Sequence, residues 1–255
     1  MISAFKVLWK TAKDLFEELL LLVLMNILTL VCGIPMIAAV GLPIYIAYAS
    51  QTQLVPALII AILLDIPASI PFGAALFGLY TVCDRTANGF AISWEHYFSF
   101  FKKGFWKAWL FVAFSNTITL LIILNFIWYP QSFSGEWVAW VMGLWLAAAL
   151  FWTAIQFYAI PFYIEQEDKS FRIALKNAAL IAGANPLFTL LLLVVSVALM
   201  GLCITFIPPL FVIGGLIFWT LPGTEGAVNR IEAFRKRMEQ EEAKKKGTPL
   251  RKGDQ

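Results

Sequence analysis

The chain has 255 residues, of which 60% are hydrophobic and 14% charged, with a formal net charge of +3. Soluble globular domains carry roughly 45–50% apolar and about 25% charged residues, so this composition excludes a water-soluble fold built round one core. Three scattered cysteines, Cys32, Cys83 and Cys203, and a single histidine, His96, exclude a disulfide framework and a multi-histidine metal site.

At the N-terminus, Phe5, Leu8, Trp9, Ala12 and Phe16 recur at helical spacing while Lys6, Lys10 and Lys13 fall elsewhere. This predicts a helix over 1–15 lying along the inner membrane interface. The apolar stretch that follows is preceded by Asp14, Glu17 and Glu18, and its leader is too long for a secretory signal. Thr29-Leu30-Val31-Cys32 also lacks the small residue that precedes a lipoprotein cysteine. An uncleaved first span over 17–35 is expected.

Residues 17–84 hold too many apolar positions for two straight spans, and prolines at 35, 43, 56, 67 and 71 interrupt them. Proline removes a helical donor and clashes with the preceding turn, which predicts kinks or breaks. The expected arrangement is spans at 17–35 and 69–84 joined by an apolar helical hairpin over 36–67. Its arms, 36–49 and 54–66, flank Ser50-Gln51-Thr52-Gln53, and it either crosses or re-enters the membrane.

Over 93–105, Trp94, Tyr97, Phe98, Phe101 and Phe105 form an aromatic stripe opposed by Glu95, His96, Ser99, Lys102 and Lys103. A second interfacial helix is predicted, anchored by Trp94, Tyr97, Phe98, Phe101, Lys102 and Lys103. Residues 108–128, 137–164 and 186–205 contain no Lys, Arg, Asp or Glu. Each reaches the ~20 residues that cross a bilayer core. Spans are therefore predicted at 106–129, 137–164, 185–205 and 207–221. Between them, 170–182 sets Phe171, Ala174, Leu175 and Ala178 against Lys169, Arg172 and Lys176, and Asn185-Pro186 starts the next span as cap and first turn. A charged helix over 224–246 follows Pro222-Gly223, with Glu241–Lys245 and Glu242–Lys246 pairs, and 247–255 is a disordered tail.

In hydrocarbon every backbone polar group must be paired within the protein, so these segments are helices. The fold class is all-α: one membrane domain over 1–246, a polytopic bundle of about six spans plus the apolar hairpin, with cytoplasmic amphipathic helices. All nineteen basic residues fall within Lys6–Lys13, Arg85, Lys102–Lys107, Lys169–Lys176 and Arg230–Lys252. Basic loops stay inside, which predicts a multi-pass protein of the cell inner membrane with both termini cytoplasmic.

Asp65 is the only acidic residue between Leu19 and Cys83. A carboxylate at bilayer depth costs several kcal/mol unless it meets water, protein or a proton. The favoured reading makes Asp65 a cap for the Ile66-Pro67 turn at the outer edge, and the other makes it a proton or ligand site. Ser115, Asn116 and Thr119 share about a third of a helical circumference. With Gln156 and Asn26 they suit either interhelical hydrogen bonds, the favoured reading, or a polar path. Asp65, Asn116, Thr119 and Gln156 form the candidate intramembrane site, with no catalytic residue, metal or cofactor. Ala74 and Gly78 make a small-xxx-small pair suited to close helix packing. His96 is read as a solvated surface residue, with a pH sensor as the alternative.

Laid out this way, Met25-Asn26-Ile27-Leu28-Thr29-Leu30-Val31-Cys32-Gly33-Ile34-Pro35, the 71–106 segment with its Ala74-Ala75-Leu76-Phe77-Gly78-Leu79-Tyr80, and 161–189 resemble the YesL-like family of bacterial integral membrane proteins of unknown function. The chain departs from that pattern in its Ile-Pro-Phe-Gly-Ala approach to the second span and in the hairpin 36–67, which looks like an insertion. What the resemblance implies about function is an association with bacterial carbohydrate-use gene clusters, hence transport or its support.

The expected function is a non-enzymatic component or accessory of carbohydrate transport, with the lipid bilayer and a transport-system protein as partners. The alternative is a scaffold that binds a protein or anionic lipid through its cytoplasmic face. A lipid-modifying enzyme, gathering Asp65, Glu136 or Glu165 at one site, ranks last. Nucleic-acid binding by the basic tail is disfavoured against lipid attraction.

Overall fold

The computed structural model describes residues 2–88, 90–166 and 170–206, together with Thr224 and Val228. These form eight α-helices and, among the described residues, no strand: α1 (Ile2–Ala49), α2 (Leu54–Ala68), α3 (Ile70–Ala87), α4 (Trp94–Lys103), α5 (Phe105–Ser132), α6 (Glu136–Glu165), α7 (Phe171–Ala184) and α8 (Pro186–Phe206). The span expected at 207–221, the helix at 224–246 and the tail lie outside the described residues, apart from helical Thr224 and Val228.

Three helical stretches, Leu20–Ala49, Phe105–Ser132 and Glu136–Ile164, are long and apolar enough to cross a membrane. If each of two bent pairs counts as one span, the number among the described residues rises to as many as five: α2 with α3, bent by 60°, and α7 with α8, bent by 103°. The distribution of polarity is compatible with a membrane protein. Leu187 and Trp140 are 83% exposed and Tyr48 79%, whereas Asp65 and Asn26 are 1% exposed. Soluble monomers rarely leave contiguous apolar surface on that scale uncovered.

The first third departs from expectation in its joints. Residues 2–49 form one helix, so neither a boundary between 1–15 and 17–35 nor a break at the start of the hairpin exists; Pro35 and Pro43 lie inside it. Each proline removes one hydrogen bond, but opening the helix in an apolar setting would strand several backbone groups, and α2 packs along α1 to hold it. The helix instead ends where Gln51 adopts φ 52°, and Thr52 N–H reaches back to the Ala47 carbonyl at 2.9 Å. The real break is at Ser69, where Pro67 and Pro71 remove two donors within about one turn. Side chains repair it: Ser69 Oγ donates to the Ile66 carbonyl at 2.9 Å, and Trp109 Nε1 of α5 donates to the same oxygen at 2.8 Å.

One aromatic cluster ties α3, α4, α5, α6 and α7 together. Phe171 stacks on Tyr163 at 4.0 Å and on Phe111 at 4.9 Å. Phe77 meets Phe111, Tyr163 and Phe171 edge-on and Phe100 at a tilt. Such pairs contribute about 0.5–1.5 kcal/mol each beyond the area they bury. Around this cluster sit the exposed Lys102, Lys103, Lys107, Arg172 and Lys176, which gives the bundle one basic end.

Two glycines set how closely α3 is held. A methyl at Gly73 would lie 2.8 Å from Trp109 Cα and 2.9 Å from the Ala108 carbonyl oxygen, both on α5. At Gly78 it would collide with the Tyr97 carbonyl oxygen of α4. The small residues thus bring α3 backbone to backbone against two different helices. Tyr97 is fully buried and its hydroxyl bonds Thr29 Oγ1 of α1 at 2.8 Å; burial pushes this phenol above its ordinary pKa.

Candidate functional site

Residues expected to form an intramembrane site come from three helices, and the fold gathers them. Asp65 lies in the last turn of α2, and Asn116 and Thr119 sit one turn apart on α5. Asn116 Nδ2 points to Asp65 Oδ1 at 3.5 Å, a long contact, and to Met36 Sδ of α1 at 3.1 Å. Thr119 Oγ1 donates to the Ser115 carbonyl at 3.0 Å. It accepts from Gln156 Nε2 at 3.1 Å and from Trp152 Nε1 at 3.2 Å, both on α6. A polar seam therefore runs from α2 through α5 to α6.

Asp65 does not cap the next turn. Ser69 occupies the cap position of α3 and no side chain caps it, while the Asp65 carboxyl turns toward α5. Its Oδ2 is buried with no hydrogen-bond partner among the described residues. The capping reading is corrected accordingly, and because the carboxyl is buried a cysteine at position 65 is expected to resist an impermeant thiol reagent in intact membranes. Labelling as fast as at a cysteine in the 50–53 turn would restore the edge reading.

Two cavities border the seam. One of about 380 Å³ lies between α1, α2 and α5 and is lined by Met36, Ile37, Val40, Gly41, Asp65, Asn116, Thr119 and Leu120. The other, about 770 Å³, lies among α3, α5, α6 and α8, with Ser115, Asn116, Thr153, Gln156 and Ser196 set in an apolar wall. It reaches the surface at exposed Leu150, Leu190, Val194 and Val197. Asn116 borders both cavities. Asn26 is buried on α1 and lines neither of them.

Two members of this neighbourhood were not singled out in the sequence. Trp152 precedes Gln156 by four residues, which puts both on one helical face. Met36 carried no polar signal at all. A further interior bond, Tyr158 OH to Thr189 Oγ1 at 3.0 Å, joins α6 to α8 outside the seam.

The remaining candidates scatter. Among the expected interfacial anchors, Trp94, Lys102 and Lys103 are exposed and Phe98 and Phe101 half-buried, whereas Tyr97 is inside the bundle. His96 is half-buried, and its Nδ1 accepts from the Ser93 backbone N–H at 3.1 Å, closing a capping box at the start of α4. Glu136 and Glu165 stand at opposite ends of α6, about 43 Å apart at 1.5 Å per residue. They cannot both join Asp65 at one concave site, and neither lines the cavity that Asp65 borders. Among the described residues no three His, Cys, Asp or Glu side chains gather as a metal site. No protein-family model matches the chain, and no curated protein or solved structure is found to be similar to it.

Proposed function

We propose that this chain is a non-enzymatic membrane component that moves, or helps to move, a polar solute across the bacterial inner membrane. The observation that carries this reading is the position of Asn116: one half-buried amide, 3.5 Å from the buried Asp65 carboxyl, borders both cavities. Ionisable and polar groups held at bilayer depth mark substrate and ion pathways. The bent α2–α3 pair beside them has the form of the broken helices that line such sites. Carbohydrate is the solute class implied by the resemblance to YesL-like proteins.

The proposed topology has six crossings and both termini cytoplasmic. Tyr97 of the interfacial α4 bonds Thr29, and the helix rises about 30 Å from Thr29 to Ala49, the thickness of the hydrocarbon core. On this reading residues 36–67 are no added hairpin; they are the outer parts of the first crossing, α1, and of its return through α2 and α3. Spans α5, α6, α7–α8 and 207–221 complete the count, and the basic end faces the cytoplasm.

Uptake by reconstituted vesicles tests the proposal. A panel of radiolabelled mono- and disaccharides is expected to include at least one that enters, with entry strongly reduced in Asn116→Leu. Absence of flux across the panel, with the chain alone and with a candidate partner, would remove the transport reading.

A second reading is favoured by the exposed basic residues with Trp94 and Trp106, which is 65% exposed, around the same end. It makes this end a docking face for anionic lipid or a protein partner. Lipid binding that falls steeply with salt, in a protein without flux, would support it.

A further inference from the structure

We infer that Asp65 is a proton-carrying site, which takes up one proton inside the bundle and makes solute movement proton-coupled. The inference deepens the transport reading and rests on it for its purpose.

The surroundings of the carboxyl argue for a bound proton. Asp65 is 1% exposed, and its Oδ2 is buried with no hydrogen-bond partner among the described residues. Oδ1 has only the long contact from Asn116. From α1 it faces Met36, Ile37, Val40 and Gly41, and from α5 Asn116, Thr119 and Leu120. None of these carries a charge or titrates, and α3, the third helix packed on α2, contributes no residue to the cavity. An anion here has no counter-ion among the described residues, and it also sits in the last turn of α2, where the helix dipole is negative. An unpaired carboxylate so placed is expensive, and a proton removes the charge.

A metal cation fits less well. Hard cations demand a shell of oxygen ligands, and the cavity wall offers few side-chain oxygens. The hydroxyl of Thr119 is already engaged by Ser115, Trp152 and Gln156. Uptake is the simple addition of a proton to the carboxylate, and release returns it to water reaching the site.

Asn116 supplies the coupling. Its Nδ2 donates toward Asp65, and its amide also borders the larger cavity. A solute that recruits this amide withdraws it from the carboxyl, so occupancy of one cavity alters the other.

The test is infrared spectroscopy of the full chain in bilayers of phosphatidylcholine and phosphatidylglycerol. Solvated carboxyl groups are ionised at about pH 7. A protonated-carboxyl C=O band present at that pH in the wild type and absent from Asp65→Asn therefore belongs to Asp65. The band is expected to move to higher frequency in Asn116→Ala, where the carbonyl loses its donor, and to persist when sodium replaces potassium. That Asn116→Ala shift decides the matter equally if Asp65→Asn does not purify as a monodisperse protein. Identical wild-type and Asp65→Asn spectra, a band that ignores Asn116→Ala, or its loss in sodium overturns the proposal. No solute is present, so a missing band sinks the proton site alone, whereas a band without sugar flux sinks the transport reading alone. With a transported sugar, a pH gradient should accelerate uptake several-fold in the wild type and leave Asp65→Asn unaffected. Equal acceleration in both would sink the coupling.

Discussion

Replacing Gly78 by alanine is expected to destabilise the protein severely, and Gly78→Val to abolish its recovery as a monodisperse species. A methyl at this position would overlap the carbonyl oxygen of Tyr97, a backbone atom of α4 that cannot rotate aside. Relief requires α4 to move off α3. That movement pulls the fully buried Tyr97 ring from its site and breaks its bond to Thr29. Overpacking of this kind costs typically 1–3 kcal/mol, and loss of a buried aromatic contact brings the total to roughly 3–5 kcal/mol. The gain in helix propensity from glycine to alanine is only about 1 kcal/mol, so the clash wins. Gly143 and Gly183 are the controls, since a methyl at either meets nothing within 4 Å. Gly143→Ala and Gly183→Ala should hold or raise the thermal midpoint of the detergent-solubilised protein. A midpoint for Gly78→Ala equal to theirs would show that α3 and α4 are not in backbone contact.

The second large effect is expected at Thr119. Thr119→Val keeps the shape and removes the hydroxyl, leaving the N–H groups of Gln156 and Trp152 without their acceptor. A buried donor left unmade costs about 1–3 kcal/mol in water-soluble proteins. Interhelical bonds in membranes average nearer 0.6 kcal/mol, with a maximum of about 1.7. Two donors lost together place the expected destabilisation at ~1–3 kcal/mol, below that of Gly78→Ala. Thr119→Ser should restore most of it, because only the methyl is then missing. Reversible unfolding in mixed micelles, followed by tryptophan fluorescence, reads both. Equal stability of Thr119→Val and wild type would mean that the seam between α5 and α6 is not formed.

The legibility of this chain in its sequence follows the physics of each segment. Uncharged runs bounded by Gly or charged residues predicted spans at 106–129 and 137–164, where helices run over 105–132 and 136–165; an apolar run can be satisfied only as a helix, so its limits are written in composition. Ser50-Gln51-Thr52-Gln53 was readable as a turn for the same reason. Pro35 and Pro43 misled because the outcome depends on α2 lying alongside, which no local pattern encodes. Tyr97 misled for a related reason: an aromatic on one stripe of an amphipathic helix suits lipid and protein interior equally, and the partner that decides, Thr29, is 68 residues away. Asp65 was conspicuous as a lone charge, yet its proximity to Pro67 suggested a cap. Only the orientation of α2 against α5 turns it toward Asn116.

The break at Ser69 separates two helices that pack in the bundle in different ways. Beyond it, α3 is in direct backbone contact with α5 at Gly73 and with α4 at Gly78. Before it, α2 packs between α1 and α5, with its Ile66 carbonyl held by Trp109, and meets α3 at a 60° angle. Asp65 lies one residue before the carbonyl that Trp109 holds and Asn116 lies about two turns along α5 from that indole, so a change of angle at Ser69 would alter the separation of carboxyl and amide together with the Trp109–Ile66 bond.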